Sequence, residues 1–190
     1  MKIINGFIIV SALTMLLTSC GGKKNNDPNY IKVGVASGPE YVIAEAAKKV
    51  AKEKYRLDVE LVQFNDYIIP NTALDQGDID ANVFQTKPFL DEQITRRGYK
   101  FAIVGNTFIY PMAAYSRKIK SLDELKDGST VVIPNDAANN SRALLLLQKV
   151  GLLKLKEGVT APRLVDIVEN PKNLEILELE APQLPRVLDD

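Results

Sequence analysis

Ile31-Lys32-Val33-Gly34-Val35-Ala36-Ser37-Gly38-Pro39-Glu40 is the stretch that decides the fold class. A short run rich in β-branched residues, 31–36, stops at Ser37-Gly38-Pro39, and 40–54 then places Val42, Ala46, Ala47 and Val50 at helical spacing. The reading is strand, turn, helix, with those four residues as the expected inward face. The same succession continues down the chain. Residues 57–64 alternate apolar and polar as a strand does, 70–76 read as a helix, and 79–84 return as a strand. A helix over 87–97 closes at Gly98 before the apolar run 101–104. This alternation predicts an α/β fold with a mostly parallel sheet and helices on both faces.

A second block opens near Pro111 with the apolar 112–115, a short helix over 122–125 and a strand over 130–134. Residues 139–150 read as the strongest helix of the block, and its four leucines, Leu144 to Leu147, as an ordinary buried helix run. A strand is expected over 174–179, followed by the segment 181–188. The expected division is therefore 30–110 for a first lobe and 111–190 for a second, incomplete one. The expectation of incompleteness rests on Asp189-Asp190 closing the sequence without a capping element, where a two-lobe protein would send a last strand and helix back to the first lobe.

Composition narrows the chemistry. With 46% hydrophobic and 25% charged residues, the chain has enough apolar material for a core and is not of disordered composition. Lys and Arg together number 24, as do Asp and Glu, and no basic run exceeds two residues, so nothing in the sequence is a footprint for nucleic acid. The absence of histidine and the single cysteine remove imidazole catalysis, most common metal sites and any internal disulfide. No cofactor is expected, and no Gly-rich phosphate loop ending in Lys-Ser/Thr occurs.

The N-terminus carries an export signal. Lys2 gives a positive start, 7–17 is mostly apolar, and Leu17-Thr18-Ser19-Cys20 follows. A helix of about eleven residues spans only ~17 Å, roughly half a bilayer core, so it is too short to serve as a membrane anchor. Leu17 to Cys20 resembles a lipobox, which implies cleavage after 1–19 and lipidation of Cys20, with palmitate among the acyl chains. The polar segment 20–29, rich in Gly, Lys and Asn, then serves as a tether. The expected location is the extracytoplasmic face of a membrane, held by lipid.

Two loops have the character of a binding site, since ligands of open α/β sheets sit beyond the carboxyl ends of strands. Phe84-Gln85-Thr86-Lys87-Pro88-Phe89 leaves a strand for a helix and offers two rings, an amide and a hydroxyl. A hydrophobic staple with a helix-start proline would account for the same residues structurally. Asn135-Asp136-Ala137-Ala138-Asn139-Asn140-Ser141-Arg142 opens the second block's best helix, with Asn139 or Ser141 as the expected cap. Its free N–H groups favour an anion, and Arg142 adds a two-pronged donor matched to a carboxylate. Tyr67, Phe108 and Tyr110 are candidate pocket aromatics. Asp78 and Asp80 suit a turn into a strand better than a catalytic pair.

Phe64-Asn65-Asp66-Tyr67, Gly77-Asp78-Ile79-Asp80-Ala81-Asn82, Phe84 to Phe89, Gly105-Asn106-Thr107-Phe108-Ile109-Tyr110-Pro111 and Glu180-Ala181-Pro182-Gln183-Leu184-Pro185-Arg186 closely resemble the methionine-binding lipoproteins of bacterial ABC importers. The similarity covers 30–190. It implies a type II periplasmic-binding-protein fold, in which two α/β lobes close on a free amino acid and dock on a permease whose partner ATPase supplies the energy. It also implies that Arg142 and Asn139 hold the ligand carboxylate, while Tyr67, Phe84, Phe89 and Tyr110 wall a side-chain pocket that includes Thr86. Thr86 and Phe89 depart from the family's pattern, which commonly has histidine and tyrosine there. The alternatives are another apolar amino acid or a methionyl dipeptide as ligand, or a carboxylate-dependent hydrolase; the last would require Asp66, Asp78 or Asp80 to converge on a pocket.

Overall fold

The computed structural model describes residues 27–189, so the export signal and Cys20 lie outside the described residues. Strand β1 (Tyr30–Ala36) leads through Gly38, at φ 99°, into helix α1 (Pro39–Tyr55). Strand β2 (Asp58–Phe64), helix α2 (Ile69–Gln76), strand β3 (Ala81–Val83) and helix α3 (Lys87–Arg97) follow. The three strands form one parallel sheet in the order β2-β1-β3. Right-handed crossovers in that order put α1 and α2 on opposite faces, as the alternation predicts.

Gly34, in the middle of β1, is required by close approach. A Cβ there would lie 2.7 Å from Ile79 Cδ1 and 2.9 Å from the Phe64 ring. Val35, Ala36, Ile79, Phe89, Leu90 and Tyr99 form the buried part of this unit. Helix α1 behaves otherwise than its periodicity predicts. It buries no residue fully, and Val42, Ala46, Ala47 and Val50 are all exposed, Val42 by 70% and Val50 by 44%, while Tyr41, Ala44, Lys48 and Ala51 form its half-buried face.

The second unit holds strand β4 (Thr130–Pro134), helix α4 (Ala137–Lys149), strands β5 (Lys154–Leu155) and β6 (Ile167–Glu169), and strand β7 (Glu175–Leu179). β4 pairs in parallel with β7, and β5 antiparallel with β6, as two small separate sheets. Leu144 and Leu147 of the leucine run sink into a core with Ile133, Leu152, Leu153 and Leu174, whereas Leu145 is 40% exposed. A helix turns 100° per residue, so four successive leucines cannot all face one core.

Between α3 and the 3₁₀ turn Leu122–Glu124 there is no helix or strand. The apolar run 101–104 lies in neither helix nor strand, and Val104 is 96% exposed. β-branched residues favour extended backbone, but a strand exists only when a neighbour completes its ladder, and none among the described residues does. The end segment is likewise a 3₁₀ stretch, Ala181–Val187.

Candidate functional site

The carboxyl ends of β2 and β3 bring three rings together. Tyr67 follows β2, Phe84 follows β3, and Phe89 is the third residue of α3. Their centroids are 5.9 Å (Tyr67 to Phe84), 6.2 Å (Tyr67 to Phe89) and 6.1 Å (Phe84 to Phe89) apart. The two contacts of Phe89 are edge-on, at 80° and 74°. Edge-on rings set a positive rim against a negative face, contributing about 0.5–1.5 kcal/mol per pair beyond burial. Phe89 is only 2% exposed and anchors the trio.

Burial raises the Tyr67 hydroxyl above the ordinary tyrosine pKa, and the negative charges of Glu40 and Asp136 raise it further. Acidic groups from the starts of α1 and α4 therefore both act on this one ring. Tyr110 is also raised, by desolvation first and Glu40 second. It lies on the irregular segment, pairs edge-on with Phe108 at 5.2 Å, and makes no ring contact with the trio. Thr86 occupies the cap position of α3 without capping it, and its buried Oγ1 has no hydrogen-bond partner.

The start of α4 is polar and internally bonded. Asp136, not Asn139 or Ser141, is the cap: its Oδ1 accepts from Asn139 N at 2.9 Å and its Oδ2 from Asn139 Nδ2 at 3.1 Å. Both expected caps fall inside the helix because α4 begins two residues earlier than the hydrophobic pattern suggests. Asp136 stands three residues before the amide that it bonds, the normal N-cap geometry, and that spacing is a sequence signal for it. Arg142 donates from Nη1 to Asn139 Oδ1 at 3.0 Å, completing a relay from acid to amide to guanidinium. Asn140, 3% exposed, donates to Pro134 O at 2.9 Å and Glu178 Oε1 at 2.5 Å, fastening this helix start to β4 and β7.

Arg142 also lines an open pocket of about 280 Å³ with Met112, Leu145, Leu146 and Lys149. None of the trio borders that pocket. Asn139 and Arg142 thus meet directly, Tyr67, Phe84 and Phe89 meet directly, and Asp136 links the two groups through its field at Tyr67.

The carboxylates do not converge. Asp66 Oδ1 accepts from Ile68 N and Ile69 N at 2.8 and 2.7 Å, starting α2. Asp80 Oδ2 accepts from Lys32 N at 2.8 Å beside β1, and Asp78 is exposed on the turn after Gly77. Among the described residues no group of three or more His, Cys, Asp or Glu could hold a metal, and no helix is long and apolar enough to cross a membrane.

Residues 31–190 match the family described as NlpA lipoprotein. The chain is 66% identical over 187 residues to the D-methionine-binding lipoprotein MetQ of Salmonella typhi, covering 97% of this chain and 69% of that protein. Its fold superposes on a crystal structure of the methionine-binding protein MetQ with a TM-score of 0.85 at 68% identity, over 86% of this chain and 67% of the other. A nutrient-binding protein from Burkholderia cenocepacia, solved bound to methionine, gives a TM-score of 0.81 at 51% identity, over 84% and 68% of the two chains. The type II periplasmic-binding-protein architecture expected from the motifs is the fold that these structures share with the chain. The chain belongs to the NlpA lipoprotein family.

Proposed function

We propose that this protein is an extracytoplasmic solute-binding lipoprotein that captures methionine and delivers it to the permease of an ABC importer. Lipid on Cys20 holds it at the membrane, and ATP is hydrolysed by a partner subunit. The observation that carries the reading is the trio of Tyr67, Phe84 and Phe89, three rings within 6.2 Å of one another at the carboxyl ends of parallel strands. A thioether packs favourably against such rings, sulfur lying about 5 Å from a ring and gaining about 0.3–1.5 kcal/mol. Tyr110 and Thr86 complete the wall, Thr86 offering the unpaired hydroxyl.

In this reading Arg142 receives the ligand carboxylate. Asn139 holds the guanidinium from one side and leaves its other N–H donors for the ligand. Closure of the two units around the bound amino acid then presents the permease with a distinct shape, driven by the ligand's preference for the closed state. No bond is made or broken. The relatives named for D-methionine and the relative solved with methionine support this ligand over another apolar amino acid.

Isothermal titration calorimetry of the full chain against L-methionine, D-methionine, leucine and a methionyl dipeptide tests the proposal. A dissociation constant between micromolar and nanomolar, or about 8 to 12 kcal/mol, is expected for a methionine enantiomer. Absence of heat with both enantiomers, from protein with a cooperative melt, would refute it.

A further inference from the structure

Three side-chain amides meet next to the aromatic trio, and no charge in the sequence points to them. Asn71 in the first turn of α2 is fully buried, Asn82 is the middle residue of β3, and Gln85 lies between Phe84 and Thr86. Asn71 and Gln85 pair reciprocally: Asn71 Nδ2 donates to Gln85 Oε1 at 2.9 Å, and Gln85 Nε2 donates to Asn71 Oδ1 at 2.8 Å. Gln85 Nε2 also donates to Asn82 Oδ1 at 3.1 Å. Asn82 Nδ2 donates to Asn71 Oδ1 at 3.0 Å and to Pro70 O at 3.4 Å.

This network ties the two loops that carry the rings. Pro70 and Asn71 follow shortly after Tyr67, and Gln85 directly follows Phe84. Outside β3 and α3, the backbone bonding of 84–86 amounts to Leu90 N on Thr86 O at 3.0 Å, and the Gln85 side chain adds the hydrogen bonds that tie the Phe84 loop to α2 and β3. Stability alone does not call for amides here. Apolar groups of the same shape could fill the space about as well, whereas a network satisfied in only one arrangement fixes geometry.

We infer that Asn71, Asn82 and Gln85 are positioning residues that set the spacing of Tyr67, Phe84 and Phe89 and thereby the pocket's preference for a thioether over a branched side chain. The inference rests on the reading of those rings as the ligand's wall.

The test compares Gln85→Leu and Gln85→Glu with the wild-type full chain. Gln85→Leu removes every bond of that side chain; methionine affinity is expected to fall roughly ten-fold and the preference for methionine over leucine roughly five-fold, with a cooperative melt retained. Gln85→Glu retains an acceptor, but its ionised form has no proton for Asn71 Oδ1 and Asn82 Oδ1, and protonation restores one. Its affinity relative to the wild type at the same pH is expected to rise roughly ten-fold between about pH 8 and about pH 4, a range that spans the usual glutamate pKa of about 4.3.

A folded Gln85→Leu variant with unchanged affinity and preference overturns the inference, as does a flat Gln85→Glu profile. If Gln85→Leu fails to fold, the Gln85→Glu profile decides. If the wild type binds no methionine, the functional reading fails on its own account. NMR contacts among the three rings then decide positioning: their loss in Gln85→Glu at about pH 8, with recovery at about pH 4, supports it, and their persistence overturns it.

Discussion

The ring trio beyond β2 and β3 and the polar start of α4 hold their geometry by different means. Tyr67, Phe84 and Phe89 pack ring on ring, with Phe89 closed off from solvent and two contacts edge-on, and the amides of Asn71, Asn82 and Gln85 tie their loops together from behind. Asp136, Asn139 and Arg142 are held by directed hydrogen bonds of 2.9 to 3.1 Å on a helix that the Leu144 core already anchors. The first group is part of its unit's core, so a change there costs fold and binding together. In the second, the Arg142 guanidinium hangs from a scaffold that stands without it. The proposed ligand contacts therefore divide into one group that can be cut out cleanly and one that cannot.

Phe89→Ala is expected to break this contrast most visibly. Removing a buried ring should cost about 3–5 kcal/mol of stability, measured by chemical denaturation, along with ligand affinity. Arg142→Ala should do the reverse, lowering methionine affinity at least about 100-fold by calorimetry while the denaturation midpoint stays put. Equal losses of stability in the two variants would erase the distinction. Gly34→Ala should cost about 1–3 kcal/mol, because its new methyl meets Ile79 and Phe64 at sub-contact distance beneath the loops that carry the rings.

Asp136→Ala should cost about 1 kcal/mol as a lost N-cap, and it also frees Asn139, so the accompanying change in affinity reports how far the relay positions Arg142. The smallest effect is spectroscopic. In an alkaline absorbance titration, Tyr67 should ionise later than free tyrosine because burial and the Glu40 and Asp136 charges raise it. Tyr30, pushed up to about 12 by its hydrogen bond to Glu60, should be later still. A raised folded-state pKa favours the folded protein below the unfolded value of 10.0, and this contribution is lost as pH rises through the folded value. Tyr67→Phe should remove one late-titrating group and leave that of Tyr30.

The degree to which these features could be read from the sequence follows from the distance over which each is decided. α3 has the predicted bounds because Pro88 and Gly98 punctuate it locally, and β4 because its apolar run is short and flanked by turns. The apolar run 101–104 forms no strand because pairing is supplied by a neighbour and not by the run itself. The apolar stripe of α1 was equally plain in the sequence, yet what covers a stripe is a property of the packed molecule.

The sequence by itself determined the α/β alternation, the likeness of 17–20 to a lipobox, and the residue types offered at each strand end, since these depend on neighbours a few positions apart. Only the tertiary structure decided that Tyr67 meets Phe84 and Phe89, that Asp136 acts on Tyr67 from the second unit, and that Asn71 closes on Gln85 across 14 positions. Those contacts arise from the crossover of parallel strands, which brings distant loops to one edge of the sheet, and local propensity carries no record of it.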